Sequence, residues 1–306
     1  MAFGSSSSIA AANGPAVRAP LGADGTGGDT GGAGGVTGAG GHLAPGAGGA
    51  VGSGGSPGAG GAAGGRIGTG GSNGLGGATG AGGRGGALRI MPLGDSTTGS
   101  VCWRAMLWQM LNQGGFTGRF DFVGSRHNDA GCGVAGYDLD NEGHPSVLVT
   151  SFINDADDLV AGIQTRQALL GQNPADVVLL HFATNDVWNN LAPATILSAY
   201  SAVLAALRAA NPRVTVLVPQ LIQLLPVNTA TCTTCACPTC DTRMIALNAQ
   251  IPGWAATNGT ASSPIIVVDQ HTGFDATVDT VDGVHPNASG SAKIAARWYA
   301  ALTPLF

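Results

Sequence analysis

From residue 88 onward, short runs of consecutive apolar residues alternate with longer stretches in which apolar positions recur every three or four residues. The short runs are "LRIMPL" (88–93), "FDFVG" (120–124), "VVLLHF" (177–182), "VTVLVPQL" (214–221) and "IIVVD" (265–269). Each has the length of a strand and no polar alternation, the pattern of strands covered on both faces. The periodic stretches predict helices over about 101–112, 155–171, 241–251 and 288–302. A further one, "ILSAYSAVLAALRAA", puts Ile196, Tyr200, Val203, Leu204 and Leu207 at helical spacing and is followed by Pro212. This alternation predicts an α/β fold, a five-stranded parallel sheet between two helical layers. The ligand crevice of such a sheet lies at the carboxyl ends of its strands, so the loops after Leu93, Gly124, Phe182, Leu221 and Asp269 are where chemistry is expected.

The pattern vanishes before residue 87. Most of the 52 glycines fall there, in runs such as "GTGGDTGGAGGVTGAGG", with almost no large apolar side chains to offset chain entropy. Residues 1–86 are therefore expected to be a disordered, glycine-rich tether, and residues 87–306 one domain of ordinary size. A collagen-like helix is excluded, because glycine leaves a strict three-residue register after Gly34 and the partner positions are not proline-rich.

Charge narrows the partners. The net charge is -5, and the 13 lysines and arginines form no cluster, which argues against nucleic acid and anionic membranes. No apolar run approaches the roughly 18 residues of a membrane span. The start, "MAFGSSSSIAAANG", has neither the basic end nor the apolar centre of a secretory signal, so either the chain start is incomplete or the protein is not exported. Cysteine points the other way: Cys102 and Cys132 stand apart, while Cys232, Cys235, Cys237 and Cys240 crowd into "CTTCACPTC". Disulfides are favoured over a thiolate metal site, because four-thiolate zinc sites usually draw their two pairs from separated segments. Together with the tether this points to attachment or spacing outside a cell.

Three of the loops carry candidate chemistry. Ser96 in "LGDSTTGS" follows the first strand, with Gly94 and Gly99 expected to permit a tight turn and close backbone approach to a substrate; a plain capping turn is the alternative. In "DTVDGVHPNASG", Asp282 precedes His285 by three residues, a spacing at which one tight turn joins carboxylate and imidazole, and Asn287 or Ser289 can cap the helix that follows. A serine nucleophile needs such a base and orienting group. Asn185 in "HFATNDVWNN" could aim its amide into the crevice toward a developing oxyanion. Of the other histidines, His42 is in the tether, His127 and His271 lie in loops, and His181 reads as a buried, satisfied strand residue. The G-x-S-x-G patterns around Ser56 and Ser72 sit in the tether without a preceding strand and are chance matches.

These blocks resemble the SGNH, or GDSL-type, serine hydrolases: "PLGDSTTGS" looks like their first block, "ATNDV" like their third and "DGVHPNASG" like their fifth. Within that superfamily, "CWRAMLWQML", "FDFVGS", "DNEGHPS" and "VDQHTGF" look most like the third carbohydrate esterase family, whose members deacetylate xylan. The resemblance implies a flavodoxin-like sandwich, with Ser96 as nucleophile, His285 as base and Asp282 orienting it. It also implies an oxyanion hole built from the Ser96 and Ser146 backbone N–H groups and the Asn185 amide. Ser146 and Ala183 stand where such families usually have glycine; serine keeps the N–H, so the Ser146 donor can survive if the backbone there does not demand a positive φ, and Gly143 is the fallback. The implied partner is an acetylated polysaccharide, and the chemistry requires no metal or cofactor. Two rivals stand beside it: a lipolytic or thioester hydrolase on the same scaffold, and a glycan-binding surface module with a decayed site.

Overall fold

The computed structural model describes residues 86–157 and 164–306. The tether expected over 1–86, with His42, Ser56 and Ser72, lies outside the described residues apart from Gly86.

The five expected strands are all present. In chain order the strands are β1 (Leu88–Gly94), β2 (Phe120–Phe122), β3 (Arg126–His127), β4 (Asp140–Gly143), β5 (Ala156–Asp157), β6 (Gln164–Thr165), β7 (Val177–His181), β8 (Thr215–Gln220) and β9 (Ile265–Asp269). Parallel pairing runs β2–β1–β7–β8–β9, the order of a doubly wound sheet. The sheet is mixed rather than purely parallel, because β4 continues the β2 lane along β1 and the short β3 pairs antiparallel with it. His127 accordingly lies in a strand, bonded to Asp140, and not in a loop.

Two prolines sit in this sheet where their missing N–H does no harm. Val123 N donates to Ile90 O and His144 N to Gly94 O, so residues 90, 92 and 94 turn their backbone toward the β2/β4 flank. Pro92 falls in the gap, after β2 has stopped pairing at Ile90 and before β4 starts at Leu93. Pro219 faces β7 two residues past Leu217, where the β7–β8 pairing ends. The sheet thus opens toward the carboxyl ends of its strands.

Side-chain alternation divides the core. Met91, Leu93, Val178, Leu180, Val216 and Val218 face one layer, built from α3 (Val149–Phe152), α4 (Arg166–Gln172), α6 (Pro193–Ala210), α7 (Cys240–Asn248) and α8 (Ile251–Asn258). Ile90, Val177, Leu179 and Leu217 face the other, where Trp103 and Leu107 of α2 (Trp103–Leu111) meet Ile294 and Trp298 of α10 (Ala288–Leu302). Short helices α1 (Ser96–Gly99), α5 (Thr184–Trp188) and α9 (Ala276–Asp279) lie in the loops after the strands. Among the described residues only α6 has the length and mean hydropathy, 1.3, of a membrane span. Its Ile196, Tyr200, Val203 and Leu207 are buried against the sheet.

Two expected helices differ. Over 155–171, Ala156–Asp157 pairs antiparallel with Gln164–Thr165 instead, and the helix starts only at Arg166, capped by the Thr165 hydroxyl. The stretch 241–251 breaks after Asn248, whose side chain binds both Leu221 N and Leu221 O, and a second helix carrying Pro252 in its first turn follows. The six cysteines are joined as Cys102–Cys132, Cys232–Cys235 and Cys237–Cys240.

Candidate active site

The turn that carries Ser96 is built by Asp95. Fully buried at the end of β1, it caps α1 by accepting from Thr97 N at 2.9 Å and from Thr97 Oγ1 at 2.8 Å. Its other oxygen accepts from Thr184 N at 3.0 Å, at the start of α5. One carboxylate therefore ties the turn bearing Ser96 to the turn bearing Asn185, and burial pushes its own proton affinity up against these bonds. Close packing of the backbone requires glycine at both turn positions. A Cβ on Gly94 would lie 2.0 Å from the His181 carbonyl oxygen, and one on Gly99 would lie 2.9 Å from that of Gly143.

Ser96, half-buried at the first position of α1, places Oγ 2.9 Å from Nε2 of His285. His285 Nδ1 lies 2.7 Å from Asp282 Oδ2, while Asp282 Oδ1 accepts from Val284 N at 3.0 Å and from His285 N at 2.8 Å. The carboxylate is thus held by its own turn before it meets the imidazole. Burial pulls the His285 pKa down, but the hydrogen bond and charge of Asp282, with the charge of Asp95, outweigh it and raise the group above 6.5. For Asp282 burial acts upward, and the bonds to His285 and Val284 hold the carboxyl below its ordinary value of 3.8. Asn287 caps α10 directly after this turn, accepting from Ser289 N and Gly290 N.

Asn185, half-buried on α5, donates through Nδ2 to Val147 O at 3.0 Å, which fixes the amide while its second N–H stays to be used. Asp186, the next residue and fully buried, accepts from Val149 N, Thr150 N and Thr150 Oγ1, tying α5 to the segment that carries Ser146. Ser146 has φ +66 and Ala183 φ +93. The backbone does demand the left-handed region at both, and these residues adopt it at a strain of roughly 1–2 kcal/mol each; Ser146 thus takes the conformation a glycine would take there, and its N–H is kept as a donor at that cost. Gly143 does not serve as the fallback: its N–H donates to Asn141 Oδ1 at 2.9 Å, and it is paired with Gly94 inside the sheet.

Other residues were not visible as parts of this arrangement. Fully buried His181 is satisfied only at Nδ1, 2.8 Å from Thr97 Oγ1, and burial lowers its pKa to about 4, so it is a neutral ring. Its Nε2 has no partner among the described residues. Glu142 and His144, both fully buried, meet at 2.8 Å beside the Ser146 segment. His271 lies 3.9 Å from Asp241.

A hydroxyl, an imidazole and a carboxylate in one hydrogen-bonded line, with an amide beside them at the carboxyl edge of a parallel sheet, is the arrangement of a serine hydrolase. Residues 93–293 match the GDSL-like Lipase/Acylhydrolase family, and the chain belongs to it. A carbohydrate esterase of family 3 from Talaromyces cellulolyticus has a similar structure, at 31% identity and a TM-score of 0.61, over 71% of this chain and 97% of that one. An acetyl esterase serine-to-alanine mutant crystallised with acetate ion is similar at 30% identity, TM-score 0.61 and the same coverage. A multidomain esterase of Ruminococcus flavefaciens is 26% identical over 248 residues, 70% of this chain; the matched part is 28% of that longer protein.

Proposed function

We propose that the chain is a serine esterase that removes O-acetyl groups from a polysaccharide, with acetylated xylan as the substrate class, and that it works outside the cytosol. The observation that carries this reading is the Ser96–His285–Asp282 line, at 2.9 and 2.7 Å. With Nδ1–H donated to Asp282, Nε2 is free to take the Ser96 proton as Oγ attacks the acetyl carbonyl. The Ser96 and Ser146 N–H groups and the second Asn185 N–H would stabilise the tetrahedral oxyanion. The imidazolium then protonates the sugar oxygen as its bond to the acyl carbon breaks, freeing the sugar hydroxyl, and water activated by the same ring attacks the acyl-enzyme and releases acetate. The acetyl and carbohydrate esterases to which the chain is similar support the acyl group and the substrate class. Three disulfides support an oxidising compartment.

The test is acetate release from acetylated xylan, run beside aryl esters of increasing acyl length, with wild type and Ser96→Ala. Wild type is expected to release acetate and to prefer the two-carbon acyl group. Ser96→Ala is expected to lose both turnover and labelling by a serine-directed phosphonate. Preference for long acyl chains would favour a lipolytic enzyme, and glycan binding without turnover a decayed site.

A further inference from the structure

We propose that the inner disulfide, Cys237–Cys240, is a positioning element for the Asp282–His285 turn, and that the outer one, Cys232–Cys235, is not. The proposal rests on the catalytic reading above and names what keeps its acid and base in register. The turn does not stand alone. It lies on the segment that follows β8, residues 221–239, which contains no helix or strand. Leu225 N donates to Gly283 O at 2.9 Å and Val227 N to Asp282 O at 3.1 Å, so two backbone bonds clamp the residues on either side of the 282–283 peptide. The contact is backbone on backbone: a Cβ on Gly283, which has φ +83, would lie 1.7 Å from Leu225 O.

Between those two donors sits Pro226, whose carbonyl accepts from Cys237 N at 3.1 Å. Cys237 is bonded to Cys240, the fully buried first residue of α7. The neighbouring Asp241 accepts from Leu224 N at 3.4 Å and from Gln223 Nε2 at 3.3 Å. Val284, between Asp282 and His285, is buried in the same apolar cluster as Leu224, Cys237 and Cys240. An unbroken path therefore runs from a rigid helix end, through the inner disulfide and Pro226, to the backbone of the orienting carboxylate. Cys232, by contrast, exchanges bonds with Thr229 inside its own loop.

The proposal predicts different consequences for the two bridges. In the full chain, replacing both inner cysteines by serine is expected to lower kcat for an aryl acetate on the order of 10- to 100-fold, the scale of a small misplacement of a catalytic group, with KM near wild type. The acid limb of kcat/KM is expected to move to lower pH, since a displaced Asp282 no longer raises His285; Asp95, beneath Ser96, is the other charge acting on that ring. The His285 ring titration followed by NMR should move the same way. Cys232→Ser with Cys235→Ser is expected to leave both readouts at wild-type values. Gly283→Ala pushes the turn off the loop with every sulfur intact and should reproduce the inner-bridge signature. A folded inner-bridge variant with wild-type kcat and pH limb overturns the proposal, as does an equal loss in the outer-bridge variant. If the inner-bridge variant does not fold, Gly283→Ala decides, and wild-type behaviour there overturns it. A wild-type chain that hydrolyses no ester would instead refute the esterase reading, and the His285 titrations would still decide this one.

Discussion

Asp282→Asn is the most informative single change in the site. An amide is isosteric, so its oxygen can still accept from Val284 N and His285 N at the distances the carboxylate uses, 3.0 and 2.8 Å. The turn should therefore keep its shape. What changes is the contact to Nδ1 at 2.7 Å: an NH2 group now faces the ring, Nδ1 must accept, and the ring proton moves to Nε2. Nε2 then points a hydrogen at Ser96 Oγ and can no longer take its proton. The same change in the serine-protease triad costs about 10⁴-fold, which corresponds to roughly 5.5 kcal/mol of transition-state stabilisation. Hydrolysis of an aryl acetate measured across pH reads both consequences: the fall in kcat/KM, and the acid limb moving to lower pH once the Asp282 charge is gone. Stability supplies a signed check. His285 has a raised folded pKa, so its contribution is complete below the unfolded value of 6.5 and is lost as pH rises through the folded value. Asp282 has a lowered one, so its contribution holds above 3.8 and is lost as pH falls through its folded value. The thermal destabilisation of the variant is thus expected to be larger near about pH 5 than near about pH 8. A variant within about tenfold of wild type, far short of the triad precedent, would refute the assignment of Asp282 as the orienting group.

Asn185→Ala is expected to cost about 100- to 1000-fold in turnover while leaving the melting temperature little changed; wild-type turnover would remove Asn185 from oxyanion binding. Ser146→Gly and Ala183→Gly each remove a left-handed Cβ worth about 1–2 kcal/mol, offset by roughly 0.5–1 kcal/mol of glycine chain entropy. Each should therefore hold or raise Tm, by up to about 2–4 °C in calorimetry, and a fall would show that the side chains contribute packing that outweighs the strain.

The parts of this molecule that could be read from sequence are those governed by local pattern. The five main strands announce themselves because they are buried on both faces, and Asp282–His285 because their bonding partners lie three residues apart. What escaped reading depends on long-range closure. Asp95 carries no signal of its own in the sequence, since its decisive acceptor bond goes to Thr184. β4, "DNEG", has no apolar signature, yet Asn141 and Glu142 are fully buried because their side chains find partners in Gly143 N, Ser125 and His144. Within the helix expected over 155–171, Ala156–Asp157 pairs across the chain with Gln164–Thr165, a pairing that the helical period does not announce, and the helix starts at Arg166. At 146 and 183, sequence shows a serine and an alanine, and only the traced backbone reveals that both sit at positive φ.

The contact of Gly94 with the His181 carbonyl has an evolutionary corollary. The ends of β1 and β7 can therefore meet backbone to backbone, and the Asp95 carboxylate, bonded to both turns, holds the serine and the asparagine from the same short span of chain. Loops around the rim are then free to lengthen or acquire disulfides, while the two turns keep their spacing.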